Sequence, residues 1–453
     1  MLHPYTDLTA EQCRQARLSR DRRFDGCFFI AVKTTGIFCR PICPAKLPSE
    51  ENVEYFSDKT QALQAGYRPC LRCRPDSAPS SWAWKGVETT YLRALRNIEQ
   101  GALTQGSVAY LAERLGITDR YLRQLFQRYL GMSPKQYDLY QKLMFAKQLL
   151  HSSSLSVTDI GFAAGFNSTR RFQDAFRKQM KLRPSDIRRN QTVTARPQIQ
   201  LSYRGKLNWP HMLAFYRLRA IKGLETVDEH SYARQVRIGD HTVGFRIMAD
   251  NKQRLMMEVQ SDAIDVLKPL ICGVRRMLDL DADTEVIEQY LGQLAHGMVK
   301  QPGIRIPGVW NPWEAGVRAI LGQQVSVKGA TTKLNQLVEG ITTHGNSVCF
   351  PTPDTVADGD LEFLKMPQSR KDTLKRFAEH IRQYPDSDPM EWLKLKGIGP
   401  WTVSYAQLRG LSLTDCFLVS DLIVKKQLAH FSGLSEETVS PWGSYATFHL
   451  WNQ

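Results

Sequence analysis

The chain has 453 residues, enough for roughly three or more domains, and 42% of them are hydrophobic, so sizeable cores are possible. Basic residues outnumber acidic ones 60 to 45, and the excess sits at the front: residues 1–197 hold 31 Lys+Arg against 17 Asp+Glu, while 198–453 are nearly balanced. A basic front half favours a nucleic-acid partner over a membrane, since the chain has neither a long apolar span nor a basic amphipathic anchor. Met1 to Asp7 lack the apolar core of a secretion signal, and nine cysteines, four of them at metal spacing, suit a reducing cytoplasm.

The first chemical signal in chain order is Cys39-Arg40-Pro41-Ile42-Cys43 followed by Cys70-Leu71-Arg72-Cys73. Two close pairs on separate turns can close one tetrahedral four-thiolate site of the kind structural Zn²⁺ prefers. The alternatives are four unrelated buried thiols or disulfides, and the compartment argues against the latter. Arg40, Lys46, Arg68, Arg72 and Arg74 crowd the cluster. Metal and cations keep a thiol ionised, and the thiolate is the nucleophile, so one sulfur here could attack an electrophile beside a phosphate. The stretches Val32-Lys33-Thr34-Thr35-Gly36-Ile37-Phe38-Cys39-Arg40-Pro41 and Gly66-Tyr67-Arg68-Pro69-Cys70 resemble the N-terminal domain of Ada-type adaptive-response regulators. The resemblance covers about residues 1–78 and implies a domain that takes a methyl group from a DNA phosphotriester onto one zinc-bound cysteine. By position in the motif that cysteine is Cys39; chemistry alone does not choose among the four.

Ser77-Ala78-Pro79-Ser80-Ser81 reads as a linker, with Trp82 and Trp84 able to dock it against a neighbour. The segment 86–190 is helical in two related halves. Ser107 to Ile117 reads as a capped helix ending in a glycine turn, followed by a helix from Asp119 towards Leu130. That second helix has an apolar face of Tyr121, Leu122, Leu125, Phe126 and Tyr129, and a polar face of Arg120, Arg123, Gln124 and Arg128. After a linking helix over 134–150, Ser156 to Phe166 repeats the scheme, and its second helix carries Thr169, Arg170, Arg171, Gln173, Arg177 and Lys178. Helix, glycine turn, basic helix is the helix-turn-helix arrangement, whose second helix enters the major groove. Ile160-Gly161-Phe162-Ala163-Ala164-Gly165-Phe166 and Phe172-Gln173-Asp174-Ala175-Phe176-Arg177-Lys178 resemble an AraC-type DNA-binding domain. Residues 120, 123, 124, 170 and 171 are its candidate DNA contacts, phosphate contacts being the commoner kind.

Gln191 to Pro197 is unpatterned and reads as a second linker. Strand-like runs follow at Ile199–Tyr203, Tyr232–Ile238, Val243–Met248 and Leu255–Gln260, with a hairpin at Gly239-Asp240 and a helix over Pro210–Ala220. This α+β lobe, 198–290, carries no catalytic motif and reads as structural. From Ala263 on the pattern is helical. Gly397-Ile398-Gly399 between two helices makes a tight hairpin that exposes backbone N–H groups to a phosphate. Asp421 follows on the apolar run Phe417-Leu418-Val419, where burial would desolvate it; the plainer reading is an N-cap. The combination resembles the helix-hairpin-helix DNA glycosylases, and Gly316 to Val327 with Tyr445 to Trp451 narrow it to the AlkA-like 3-methyladenine group, covering about 198–453.

That resemblance implies Asp421 as the catalytic aspartate, Trp401, Tyr405 and Trp451 as walls of the base pocket, and Gly397 and Gly399 as phosphate contacts. Trp401 stands where bifunctional members carry an attacking lysine, which implies hydrolysis by water and no strand cleavage. Gln324 falls where relatives place an apolar wedge, and an amide can fill the gap and bond the orphaned base. Ser420 replaces a second Asp of relatives. No Pro-Cys-His-Arg motif for O6-methylguanine occurs.

The expected architecture is multidomain and mainly α: a small α+β zinc domain (1–78), an AraC-type double helix-turn-helix (86–190), the α+β lobe (198–290) and a helix-hairpin-helix glycosylase domain (291–453). The expected function is response to and repair of DNA alkylation, with Zn²⁺ as the only cofactor. The expected partners are alkylated and promoter double-stranded DNA and RNA polymerase, and the expected form is a cytoplasmic, nucleoid-associated monomer. The rival reading is a transcription factor whose zinc and glycosylase lobes are inactive.

Overall fold

The computed structural model describes residues 8–453 apart from 58, 71, 74, 76–87, 100, 189–196, 251–253, 262, 343–348 and 432. The linker readings at 77–81 and 191–196, Trp82 and Trp84, and Arg74 lie outside the described residues. The chain forms two compact units, one within 1–193 and one within 194–453, so each unit holds two of the four expected domains.

In the first unit, α1 (Ala10–Ser19) starts at a Thr9–Gln12 capping box, in which side chains satisfy backbone groups the helix leaves open. Strands β1 (Phe29–Val32), β2 (Ile37–Cys39) and β3 (Val53–Phe56), helix α2 (Lys59–Gln64) and strand β4 (Arg68–Pro69) follow. The sheet order is β3-β1-β2-β4, over a core that includes Phe29, Ala31 and Phe38. Its parallel β2–β4 pair sets Ile37 opposite Arg68 and Phe38 opposite Pro69. Cys39 and Cys70 therefore come next at the same end, and the Cys70 N–H donates to the Phe38 carbonyl at 2.9 Å. A two-residue register thus brings together cysteines 31 positions apart in sequence.

The rest of this unit is helical: α3 (Glu88–Glu99), α4 (Ala102–Gln105), α5 (Val108–Arg114), α6 (Asp119–Leu130), α7 (Pro134–Ser152), α8 (Val157–Ala163), α9 (Thr169–Met180) and α10 (Pro184–Ile187). The paired helix-turn-helix scheme is as the sequence led one to expect. Ser107, Thr118, Ser156 and Ser168 cap α5, α6, α8 and α9, and left-handed Gly116 and Gly165 make the two turns. Leu122, Leu125, Phe126 and Tyr129 bury against Tyr91, Ile98 and Leu111. Tyr121 departs from the expected apolar face: it is 40% exposed, on the side that carries Arg120 and Gln124.

The second unit opens with β5 (Gln198–Leu201), α11 (Trp209–Arg217), β6 (Glu225–Val227), β7 (Ser231–Ile238), β8 (His241–Asp250) and β9 (Arg254–Gln260). These strands form an antiparallel sheet of order β5-β9-β8-β7-β6, and Ile238 pairs with His241 around the expected Gly239-Asp240 hairpin. Strand β6 was not expected, being only three residues long. Helices α12 (Leu267–Met277), α13 (Thr284–Leu294), α14 (Pro312–Gly322), α15 (Val327–Thr342), α16 (Pro353–Asp358), α17 (Gln368–Gln383), α18 (Pro400–Gly410), α19 (Leu422–Leu428), α20 (Glu436–Val439) and α21 (Gly443–Trp451) complete it. The arm before the Gly397–Gly399 hairpin is a 3-10 helix, Pro389–Lys394.

The lobe and the helical part are locked by buried charge. Arg234 of β7 pairs with Glu225 and with Glu314 of α14, and Arg318 of α14 pairs with the same two carboxylates. All four side chains are at most 5% exposed, and Tyr232 donates to Glu225 at 2.6 Å. Two acids and two bases cancel here. Removing one partner would strand a buried charge at a cost of about 3–5 kcal/mol.

Candidate functional site

The four cysteines meet. The Sγ atoms of Cys39, Cys43, Cys70 and Cys73 all lie within 4.8 Å of one another. A Zn²⁺ at about 2.3 Å from each of four sulfurs sets them about 3.8 Å apart, so the donor set fits that ion with little movement. Cys43, Cys70 and Cys73 are buried, whereas Cys39 keeps solvent access. Contact with the sulfurs of Cys43 and Cys73, then burial, pushes the Cys39 thiol up, because neighbouring thiolates cannot all ionise without a cation between them.

The basic surroundings resolve into two kinds. Arg40 is held: it pairs with Asp25, its backbone N–H donates to Cys73 Sγ at 3.4 Å, and its Nη1 donates to the Cys73 carbonyl at 3.3 Å. Lys46, Arg68 and Arg72 are exposed. On the helix-turn-helix, Arg120, Arg123 and Gln124 share an open groove with Asp119, Gln127 and Ser133. Arg170 and Arg171 are exposed at the start of α9. All five sequence-predicted contacts therefore face solvent at the N-terminal parts of the second helix of each pair.

In the second unit Asp421 is the N-cap of α19. The expectation of a desolvated carboxylate is corrected: Asp421 is half-exposed, because the apolar run before it turns inward and ends at Leu418. One oxygen is fully occupied. Oδ1 accepts from Ile423 N at 2.9 Å, Val424 N at 3.2 Å and Trp451 Nε1 at 3.1 Å. Oδ2 has no partner among the described residues. The plain reading, an N-cap, holds, and the cap orients the carboxylate and leaves one oxygen open.

Trp401 and Tyr405 stack at 5.3 Å between centroids on α18. Among the described residues Trp451 makes no ring contact with either. The link runs from Trp451 to Phe448 at 5.0 Å, from Phe448 to Phe215 at 5.7 Å, and from Phe215 through the Arg409 guanidinium to Tyr405. Trp401, Tyr405, Trp451 and Phe215 are all half-buried. Phe215 sits on α11, so the lobe contributes a ring to this aromatic cluster. Arg219 lies over Phe215 at 3.7 Å, and Arg409 donates to the Tyr405 hydroxyl at 2.6 Å. Sequence reasoning missed Phe215, Arg219 and Arg409. The spacing of Trp401, Tyr405 and Arg409 at i, i+4, i+8 was a usable signal for the last; nothing local marks the other two.

The hairpin is built for close approach. Gly397 has φ +95°, and a Cβ there would lie 2.2 Å from Thr373 Oγ1. Gly399 caps α18 with open space where its Cβ would be. Gln324 is exposed in left-handed backbone (φ 56°) between α14 and α15. Its neighbour Gln323, also missed, donates to the Gly397 carbonyl at 3.1 Å and so ties this loop to the hairpin. Gln324, Gly397, Arg370, Arg376 and Lys396 line one cleft.

A four-thiolate metal domain, a paired helix-turn-helix and a helix-hairpin-helix glycosylase fold on one chain define a DNA-binding regulator joined to a base-excision enzyme. Family models match as the metal binding domain of Ada over residues 12–76, a helix-turn-helix domain over 111–190, and the AlkA N-terminal domain over 198–311. The "Probable bifunctional transcriptional activator/DNA repair enzyme AlkA" of Mycobacterium tuberculosis is 34% identical over 97% of this chain and 96% of its own length. "DNA-3-methyladenine glycosylase 2" of Escherichia coli is 31% identical over 55% of this chain and 95% of its own. "Bifunctional transcriptional activator/DNA repair enzyme Ada" of the same organism is 38% identical over 36% of this chain and 44% of its own. The chain belongs to the family of bifunctional Ada/AlkA transcriptional activators and DNA repair enzymes.

Proposed function

We propose that this protein senses and repairs DNA alkylation with two separate sites. At the first, Cys39 accepts a methyl group from a DNA methylphosphotriester. Zinc, when bound by Cys39, Cys43, Cys70 and Cys73, holds the thiols in their ionised form. The Cys39 sulfur pair attacks the methyl carbon, the carbon–oxygen bond breaks, and its electrons stay on the phosphate as a diester anion. The accessibility of Cys39 beside three buried sulfurs supports this choice. A thioether is a poor leaving group, so each chain reacts once. The lost negative charge strengthens the hold of the helix-turn-helix pair on promoter phosphates. Activation at a promoter makes RNA polymerase the protein partner of a cytoplasmic, nucleoid-associated monomer. Among the described residues no helix is long and apolar enough to cross a membrane.

At the second site the protein excises alkylated purines such as 3-methyladenine. The observation that carries this reading is Asp421, with Oδ1 pinned by three donors and Oδ2 open. The target base is flipped from the duplex. It stacks on Trp401, Tyr405 and Phe215, where cation–π attraction favours an electron-poor ring. The N-glycosidic bond breaks and its electron pair leaves with the base. Asp421 stabilises the cationic sugar and orients a water, whose oxygen bonds C1′ while its proton is released. Gln324 fills the vacated position in the duplex, and Gly397 and Gly399 hold the backbone phosphate. The open carboxylate and the accessible sulfur weigh against the rival reading of inactive lobes around a transcription factor.

One experiment tests both sites. The zinc-loaded full chain is incubated with duplex DNA carrying methylphosphotriesters and 3-methyladenine. A single added methyl, assigned to Cys39 rather than Cys43 by fragmentation of the tryptic peptide 34–46 that holds both, and release of free base are expected. A methyl on Cys43, Cys70 or Cys73 overturns the first assignment, and absence of base release overturns the second.

A further inference from the structure

Arg219 and Arg409 differ from the paired arginines that lock the lobe to the helical part. Arg234 and Arg318 are neutralised by Glu225 and Glu314. Arg219 and Arg409 have no carboxylate within ion-pair distance among the described residues; their donors go to neutral groups. Arg409 donates from Nε to the Pro307 carbonyl at 2.8 Å and from Nη1 to Tyr405 at 2.6 Å. Arg219 donates from Nη1 to the Phe215 carbonyl at 3.2 Å. Their guanidinium carbons stand 3.7 and 4.9 Å from the centroid of the same Phe215 ring. Burial, then the charge of Arg409, lowers Arg219 to about 10, so its cation persists at neutral pH. Although burial raises the Tyr405 phenol, Arg409, Arg219 and Arg318 draw it below its ordinary value. Two adjacent, uncompensated cations are costly to fold around, and the surroundings hold both against the Phe215 ring.

Excision moves charge in one direction whatever the base. An alkylated purine starts cationic and leaves neutral; an unalkylated base starts neutral and leaves as an anion to be protonated by solvent. In both cases the base side becomes more negative and the sugar more positive. Asp421 bonds Trp451, and ring contacts run from Trp451 through Phe448 to Phe215, the ring that both guanidiniums face. We propose that Arg219, together with Arg409, is the positive end of an electrostatic gradient along this aromatic chain whose negative end is Asp421, and that it speeds departure of the base. The proposal rests on the excision reading above. Preorganised charge acts where charge develops, and here it acts at both ends of the breaking bond. It carries a second consequence: in the bound ground state Arg219 repels a cationic base, so the site favours charged lesions over neutral ones less than its aromatic walls alone would.

The test uses the full chain and two duplexes, one with 7-methylguanine (cationic) and one with hypoxanthine (neutral). Arg219→Met and Arg219→Gln remove the charge, and Arg219→Lys keeps it. Arg219 is half-exposed and leaves no carboxylate unpaired, so these variants should melt close to wild type, with Arg219→Gln as the second neutral probe. The maximal single-turnover rate should fall about tenfold on both duplexes in the neutral variants, and Arg219→Lys should recover most of it. Affinity, measured in an Asp421→Asn background that leaves the base attached, should tighten for 7-methylguanine and stay level for hypoxanthine. Unchanged maximal rates, or weaker binding to both duplexes at normal rate, would overturn the proposal. A wild type that excises neither base would instead remove the excision reading on which it rests.

Discussion

Replacing Asp421 with Asn separates the charge of this side chain from its structural work. Oδ1 accepts three hydrogen bonds, from Ile423 N, Val424 N and Trp451 Nε1. An Asn oxygen accepts the same three, and Asn is as good an N-cap as Asp, so α19 and Trp451 should stay in place. The loss of a negative charge at a helix N-terminus costs only about 0.3–1 kcal/mol of stability. At Oδ2, however, an anion becomes an amide just where the sugar turns cationic. Removing one well-placed electrostatic group typically costs about 10²–10³ in rate, or about 2.7–4 kcal/mol of barrier. Asp421→Ala should cost about 1 kcal/mol more in stability through the lost cap and leave the Trp451 N–H without its acceptor. The assay is single-turnover release of 3-methyladenine from duplex DNA, with strands analysed before and after alkali, beside binding to abasic-site DNA. Wild type should leave an intact strand with an abasic site, because Trp401 offers no amine for an imine. Asp421→Asn should bind abasic DNA normally and excise at a hundredth of the rate or less. Excision by Asp421→Asn at the wild-type rate would refute the reasoning, and borohydride-trapped crosslinks in wild type would refute hydrolysis by water.

Metal analysis of the purified chain should give about one zinc per molecule, and chelation or Cys43→Ser should remove it and melt the sheet of β1 to β4; a metal-free chain with that sheet intact would count against the four-sulfur site. Promoter DNA should bind more tightly after Cys39 is methylated, measured at one fixed salt concentration; equal affinity before and after would remove the charge-based switch. Burial raises Glu288 to about 7, so its contribution to stability is full at acid pH and is lost as pH climbs through about 7. Burial lowers His449, whose Nε2 lies 3.8 Å from Glu288, to about 4, so its contribution is full at neutral pH and is lost as pH falls through about 4. The two slopes oppose each other between about pH 5 and 6. Glu288→Gln should therefore make melting temperature rise more steeply with pH across that window than in wild type, as read by thermal scans; parallel curves would sink this assignment.

Much of the architecture was legible because it is local. The predicted span of α6 agrees with the observed Asp119–Leu130, since a capping Thr118 and a terminating Gly131 flank an apolar repeat at helical spacing. The cysteine pairs were readable for the same reason: metal chemistry constrains spacing, and β2 and β4 needed only to lie side by side. Tyr121 shows where periodicity fails. Its position in the helical repeat matches the core face, but no neighbouring helix covers it, and exposure is decided by what packs opposite.

What only the tertiary structure decided concerns groups distant in sequence. Which thiolate is accessible depends on how the segments after β2 and β4 pack, burying Cys43, Cys70 and Cys73 while leaving Cys39 open. The burial of Asp421 was misjudged because the preceding apolar residues pack inward while the helix it caps faces solvent. Phe215 and Arg219 lie nearly two hundred residues before Tyr405, and they reach its wall only because Arg234, Glu225, Glu314 and Arg318 lock the lobe to the helical part. Spacing rules see a few turns of helix or one hairpin. Whether a charge has a counterion is a property of the space around it, and for Arg219 and Arg409 that space is assembled from α11, α18 and the segment at Pro307.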